Sequence, residues 1–195
     1  MDINVCNSGD VKGDHKQNEL YINNGNLTFT ERAKEYGIGV NGYSTHGVFF
    51  DYDHDGDLDR FILSNSFKAI GSFNIQSNER NKRDPLGGQK LFRNDGGHFT
   101  DVSKKAGIYG SVIGFGLGVS VGDVNNDGWD DIYVSNDFFE RDYLYINNKD
   151  GTCTESLEKK IGSISNASMG ADIADINNDG HPDSFVTDMH PEKEA

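Results

Sequence analysis

The stretch "DYDHDGDLD", residues 51 to 59, sets five aspartates in nine positions. So dense a run repels itself unless something neutralises it. Counted from Asp51, carboxylates fall at positions 1, 3, 5 and 9 (Asp51, Asp53, Asp55, Asp59), and Gly56 holds position 6. Hard cations such as calcium take about six to eight oxygen ligands, and a glycine at position 6 permits the sharp turn that wraps a chain around the ion. Alternate side chains then point inward, and position 7 contributes its backbone carbonyl, here that of Asp57. The bland alternative is a solvated acidic turn.

The pattern returns twice. "DVNNDGWDD" (123 to 131) places Asp123, Asn125, Asp127, Gly128 and Asp131 at the same offsets. "DINNDGHPD" (175 to 183) does so with Asp175, Asn177, Asp179, Gly180 and Asp183. Position 7 varies freely among Asp57, Trp129 and His181, as a main-chain ligand allows. Three loops with one pattern, here loops 1, 2 and 3, predict three calcium sites.

The kind of loop follows from its flanks. An EF-hand closes with a bidentate Glu at position 12 and lies between helices. Position 12 here is Ile62, Val134 and Val186, none of which binds a metal. The segments that follow, "RFILSN", "IYVSN" and "SFVTD", are β-branched and aromatic and read as strands. Those that precede, "THGVFF", "GLGVSVG" and "MGADIA", are short, strand-like and rich in small residues, as where backbones crowd. Each loop therefore joins two strands, and neither an EF-hand nor a helical dockerin fits.

A second element recurs between the loops. "ELYINNGNLTFTE" (19 to 31), "KLFRNDGGHFTDV" (90 to 102) and "YLYINNKDGTCTE" (143 to 155) have hairpin turn chemistry at their tips. A polar connector of about one helical turn follows each. The unit is strand, acidic loop, strand, hairpin: a four-stranded antiparallel blade, which favours a β-propeller. The expected division is 1–38, the last three strands of a blade; 39–108, a blade with loop 1 and an insertion at 66–89; 109–162, a blade with loop 2; and 163–195, the start of a blade with loop 3. Asp2, followed by "INVCN", matches position 9 and the strand after it, so the chain is expected to open and close within blades.

Stretches such as "GVSVGDVNNDGWDDIYVSNDFFERDYLYINNKDG" (118 to 151) resemble FG-GAP/VCBS-type repeats, as in the calcium-binding propeller of integrin α chains. The chain is most similar to bacterial proteins related to cartilage acidic protein that carry an ASPIC/UnbV region. The resemblance implies an all-β propeller that binds calcium on a secreted or cell-surface protein. It also implies a partner, either a glycan or protein ligand or the remaining blades of the parent propeller.

Composition agrees. Lys and Arg number 18 against 32 Asp and Glu, a formal charge of −14, and the three loops hold twelve of those acids. Such a chain lacks the basic footprint of a nucleic-acid binder, and no apolar run reaches the roughly 18 residues of a membrane span. The insertion is the exception: Arg80, Lys82 and Arg83 stand near Phe67 and Phe73. It follows the second strand of its blade, so it is expected at the end opposite the acidic loops, where a basic cluster suits an acidic glycan or a neighbouring domain.

No catalytic constellation emerges. "GVSVG" around Ser120 matches a nucleophile elbow, but that motif needs a strand-to-helix turn. His46, Asp172, Asn136 and Asp137 are isolated candidates, each read first as structural. Cys6 and Cys153 fall two blades apart and are read as unpaired. Two readings stand: a non-catalytic calcium-stabilised scaffold for adhesion or glycan/protein binding, and, as the alternative, part of a calcium-dependent propeller enzyme such as a polysaccharide lyase.

Overall fold

The computed structural model describes residues 1–9, 16–66, 79–138, 140–165 and 167–189. Strands β1 (Ile3–Val5), β2 (Glu19–Asn23) and β3 (Phe29–Glu31) form one antiparallel sheet in chain order. Strands β4 (Ser44–Phe50), β5 (Asp59–Ser64), β6 (Lys90–Asn94) and β7 (Phe99–Asp101) form a second. A third contains β8 (Gly116–Gly122), β9 (Asp131–Asn136), β10 (Tyr143–Asn147) and β11 (Cys153–Glu155). A single helical turn, α1 (Leu157–Lys160), leads to the pair β12 (Ser168–Ala174) and β13 (Asp183–Asp188). Every pairing is antiparallel between strands adjacent in sequence. The fold is all-β: a run of propeller blades, each an up-and-down meander.

The core lies between the blades. Strands β5 and β9 are buried along their whole length, so they need apolar residues on both faces. Period-2 alternation distributes them. Phe61 and Leu63 join Ile132, Val134, Tyr143 and Tyr145 between the second and third sheets. Ile62, one residue out of step, packs with Leu20, Ile38 and Phe92 between the first and second. Tyr133 turns the other way again, toward Leu144, Leu157 and Ile173.

The inner strands β4, β8 and β12 run side by side, and small residues let them. A Cβ on Gly118 would stand 2.9 Å from Gly170 Cα, so the backbones touch there. Thr45 Oγ1 donates to Gly116 O at 3.2 Å, and Ser120 Oγ donates to Ala171 O at 2.6 Å. Each inner strand carries an irregularity in its first three residues, at Ser44/His46, Gly116/Gly118 and Ser168/Gly170. The connectors stitch blade to blade. Phe99 N donates to Tyr36 O, and Cys153 N donates to Ala106 O, both at 2.8 Å.

The described part of the insertion, 79–89, lies at the end of the blades opposite the acidic loops. Its backbone bonds Tyr43, Gly110 and Val112, all shortly before inner strands begin.

Candidate metal centre

The three acidic loops share one backbone. Position 4 has left-handed φ in each (His54 58°, Asn126 56°, Asn178 60°), and so does the glycine at position 6 (Gly56 93°, Gly128 85°, Gly180 83°). Two left-handed residues two apart curl the chain into a bowl, and open space around the three glycines shows that backbone, not crowding, selects them. The position-1 carboxylate holds the bowl shut. Asp51 accepts from the N–H groups of Asp55 and Gly56 at 3.2 and 3.1 Å. Asp123 does the same for Asp127 and Gly128 at 3.0 and 2.7 Å, and Asp175 for Asp179 and Gly180 at 3.1 and 2.9 Å. The position-5 carboxylates of Asp55, Asp127 and Asp179 accept from the N–H of position 7 at 2.9 to 3.0 Å.

Position 9 ties loop to blade. Asp59 is fully buried; one oxygen accepts from Tyr52 N at 2.9 Å and the other from Asn94 N, on the hairpin, at 2.8 Å. Asp131 repeats this with Val124 N at 3.1 Å and Asn147 N at 2.8 Å. Asp183 accepts from Ile176 N at 3.1 Å. Asp2 accepts from Asn23 N at 2.8 Å, the same carboxylate-to-hairpin bond. Burial raises the Asp59 and Asp131 carboxyls to about 6, although the backbone donors pull the other way.

In loop 1 the carboxylates converge. One oxygen from each of Asp51, Asp53 and Asp59 lies within 4.8 Å of the others. Asp53 Oδ1 is buried with no hydrogen-bond partner, and burial, then the neighbouring Asp55, raises its carboxyl. Buried carboxylate oxygens without donors are costly. An all-oxygen set with one oxygen lacking any protein partner fits a hard cation.

Loops 2 and 3 differ at position 3. Asn125 Oδ1 accepts from Asp127 N at 3.0 Å, and Asn177 Oδ1 accepts from Asp179 N at 2.9 Å. Loop 2 also receives a cation: Lys149 Nζ donates to Asp127 O at 3.1 Å and lies 3.4 Å from its carboxylate. Burial pushes the Asp123 carboxyl up, but the N–H groups of Gly128 and Asp127 outweigh it and hold it below the usual range.

At position 7 the Asp57 carboxylate turns to the hairpin tip, accepting from Gly96 N at 3.2 Å. The Trp129 ring stacks on His54 of loop 1, with centroids 3.9 Å apart and planes 11° apart. His181 Nδ1 meets Asn126 Nδ2 of loop 2 at 2.8 Å. Sequence alone sends the side chains of positions 4 and 7 outward and assigns them nothing; the structure joins them across loops.

The remaining candidates are committed elsewhere. Ser120 Oγ bonds the neighbouring inner strand. Asn136 caps the β9–β10 turn through Phe115 N and Arg141 O, and Asp137 accepts from Phe138 N. The exposed Asp172 accepts from Ile173 N, one residue on. His46 lines an open hollow between β1 and β4 with Asn4 and Cys6. Cys6 and Cys153 are free thiols in different core layers. Each member of the basic cluster has a partner within the chain. Arg80 is paired with the buried Glu140 at 2.8 Å, Lys82 with Glu79 at 2.9 Å, and Arg83 Nη1 donates to Ile108 O at 2.7 Å. Arg83 still borders an open hollow with Asp101, Lys104 and Lys105. Phe67 and Phe73 lie outside the described residues.

Blades built this way, three of them with an acidic turn between the first two strands, define a class, and comparison identifies it. A model of the FG-GAP-like repeat matches residues 1–62, 83–134 and 123–186. The chain belongs to the FG-GAP-like repeat family. It is also 30% identical over 99 residues to mouse integrin alpha-3, an alignment covering 44% of this chain and 9% of that protein. Among the described residues no helix is long and apolar enough to cross a membrane.

Proposed function

We propose that this chain is a calcium-binding propeller segment of a secreted or cell-surface protein, acting as a non-catalytic scaffold for adhesion or for glycan or protein binding. The observation that carries it is the convergence of Asp51, Asp53 and Asp59 around the unpartnered Asp53 Oδ1. Asp55 and the Asp57 carbonyl complete the set in loop 1. Asp123, Asn125, Asp127, Asp131 and the Trp129 carbonyl serve loop 2. Asp175, Asn177, Asp179, Asp183 and the His181 carbonyl serve loop 3.

Calcium supplies positive charge and oxygen coordination; the chain's residues supply the mechanical link. Asp59 and Asp131 each grip their own loop and the hairpin of their blade. An ion bound there fastens the first, second and third strands together at one end. The assignment to adhesion and to the cell surface rests on likeness to an integrin. The non-catalytic reading rests on the structural commitments of Ser120, Asn136 and Asp137, and a uronate-elimination assay followed in the ultraviolet is expected to stay flat.

Ligand binding to the native state stabilises it by RT ln(1 + [L]/Kd). For affinities of roughly 0.1 to 1 mM, millimolar calcium adds on the order of 1 kcal/mol per site. Thermal melts with calcium and then with excess EGTA test this. The midpoint is expected to fall on chelation, and identical midpoints would refute calcium as a folding cofactor.

A further inference from the structure

We infer that the position-4 residue of each acidic loop positions the position-7 ligand of the next, so that His54 and Asn126 control calcium sites in which they are not themselves ligands. This rests on the calcium reading. Two junctions carry it. His54 of loop 1 stacks on Trp129 of loop 2 at 3.9 Å. Asn126 of loop 2 meets His181 of loop 3 at 2.8 Å and also donates to Gly180 O at 3.2 Å.

The chemistry differs, an aromatic stack in one case and amide hydrogen bonds in the other, yet the positions are the same. Left-handed backbone at position 4 is what both share, with φ of 58° and 56°. Asn adopts that conformation readily; a histidine does so less often. At His54 the ring is held by Trp129, whose face it covers.

The consequence falls on the peptide that follows position 7. Its carbonyl is the proposed main-chain ligand, and the residue's N–H is already fixed by the position-5 carboxylate, at 3.0 Å for Trp129 and 2.9 Å for His181. With the N–H held from inside the loop and the side chain held from the preceding loop, the residue's Cα and carbonyl carbon are pinned, which narrows the range over which the carbonyl oxygen can turn. Filling loop 2 in turn favours the arrangement His54 contacts, since coupling between binding sites is reciprocal. The sites then communicate in order around the propeller.

Trp129 is the single tryptophan, and it also stacks on loop 1, so terbium luminescence excited through it is read in an Asp51→Asn background that disables loop 1 and then reports loop 2. The variant His54→Asn keeps a residue suited to left-handed backbone and removes the ring. Terbium affinity at loop 2 is expected to weaken about fivefold or more. Loop 1 affinity, followed by calcium calorimetry in an Asp123→Asn background that disables loop 2, is expected to stay unchanged. Asn126→Gly repeats the test one junction on: of the calorimetric steps, the one lost in Asp175→Asn, hence loop 3, should weaken. A merely structural contact would lower stability without moving a neighbour's metal affinity. Unmoved affinities in both variants, or a weakening confined to the mutated loop, would overturn the inference while leaving the calcium reading intact. Failure of the natural protein to bind either ion would overturn both.

Discussion

Loops 1 and 2 have the same length, the same two left-handed residues and the same position-9 anchor, yet they present different surfaces to an ion. In loop 1 Asp53 keeps a buried oxygen without a partner. In loop 2 the matching Asn125 oxygen is already bonded to Asp127 N, and Lys149 lies against Asp127. On the calcium reading, the repeat would fix where a cation sits, and the non-repeated neighbours would grade how strongly it is held.

The largest expected effect concerns what the loops share. Replacing Asp59 or Asp131 by alanine leaves two N–H groups without acceptors at each site. At about 1 to 3 kcal/mol per unsatisfied buried group, each variant is expected to lose about 2 to 6 kcal/mol even without calcium. Asp183→Ala breaks one bond to Ile176 and should cost less. Denaturant melts in EGTA check the ranking. If all three variants match the calcium-free parent, position 9 serves the ion alone.

The same carboxyls set a pH dependence that bound calcium is expected to reverse. Burial raises Asp59 and Asp131 to about 6, above the ordinary 3.8. The folded chain therefore holds these protons more tightly than the unfolded chain does. Their contribution to stability is full below pH about 4 and is lost as pH rises through about 6. In EGTA, the parent is expected to gain stability between pH 7 and 5 relative to the Asp59→Asn/Asp131→Asn double variant. With calcium, whose binding needs the ionised form, affinity should fall over that same window. Equal pH profiles for parent and double variant in EGTA would rule out burial as the cause.

A smaller effect separates the loops at position 3. Loop 1 is expected to bind calcium more tightly, because ligand charge count tunes affinity. Asp53→Asn should weaken loop 1, and Asn125→Asp should tighten loop 2, each by about threefold to tenfold, since full ligand charges lie within contact of the ion. Calorimetric titration of the pair reads both. Equal affinities in the unmodified loops would remove the distinction.

How much of this was legible in the sequence follows from how far each contact reaches along the chain. The acidic loops, their flanking strands and the hairpins are local patterns, repeated three times, and the sheets follow them. Even Asp2 could be matched to position 9 from its place before a strand, and it bonds Asn23 as Asp59 bonds Asn94. What escaped lies between blades. His54 reaches Trp129, and Asn126 reaches His181 at a separation of 55 residues. Arg80 finds Glu140 60 residues on, which makes one member of an apparent surface cluster a tie between blades. Nothing in a local charge pattern reveals whether a cation faces solvent or a buried carboxylate. The Glu140 side chain is fully buried against Arg80, so this pair is part of the packing between blades.

Lys149 gives the finest test of the comparison. It sits at the tip of the third hairpin with left-handed φ of 64°, a place where the other two hairpins carry glycine, Gly25 and Gly96. Its ammonium is 3.4 Å from the Asp127 carboxylate and 3.1 Å from the Asp127 carbonyl, with the side chain about half exposed. An exposed ion pair of this kind contributes about 0 to 1 kcal/mol in isolation, so its removal should barely change calcium-free stability. For an incoming cation it is a like charge beside a proposed ligand. Lys149→Met keeps the aliphatic stem and removes that charge. Loop 2 is expected to gain about twofold to fivefold in affinity, within the range of an exposed pair, and more at low salt than at high, since exposed charges are screened over about 8 to 10 Å. Loop 1, whose hairpin offers Gly96 N to Asp57 instead of a lysine, should not respond. If the variant leaves loop 2 unchanged at low salt, Lys149 does not grade the site, and the contrast between the loops reduces to position 3.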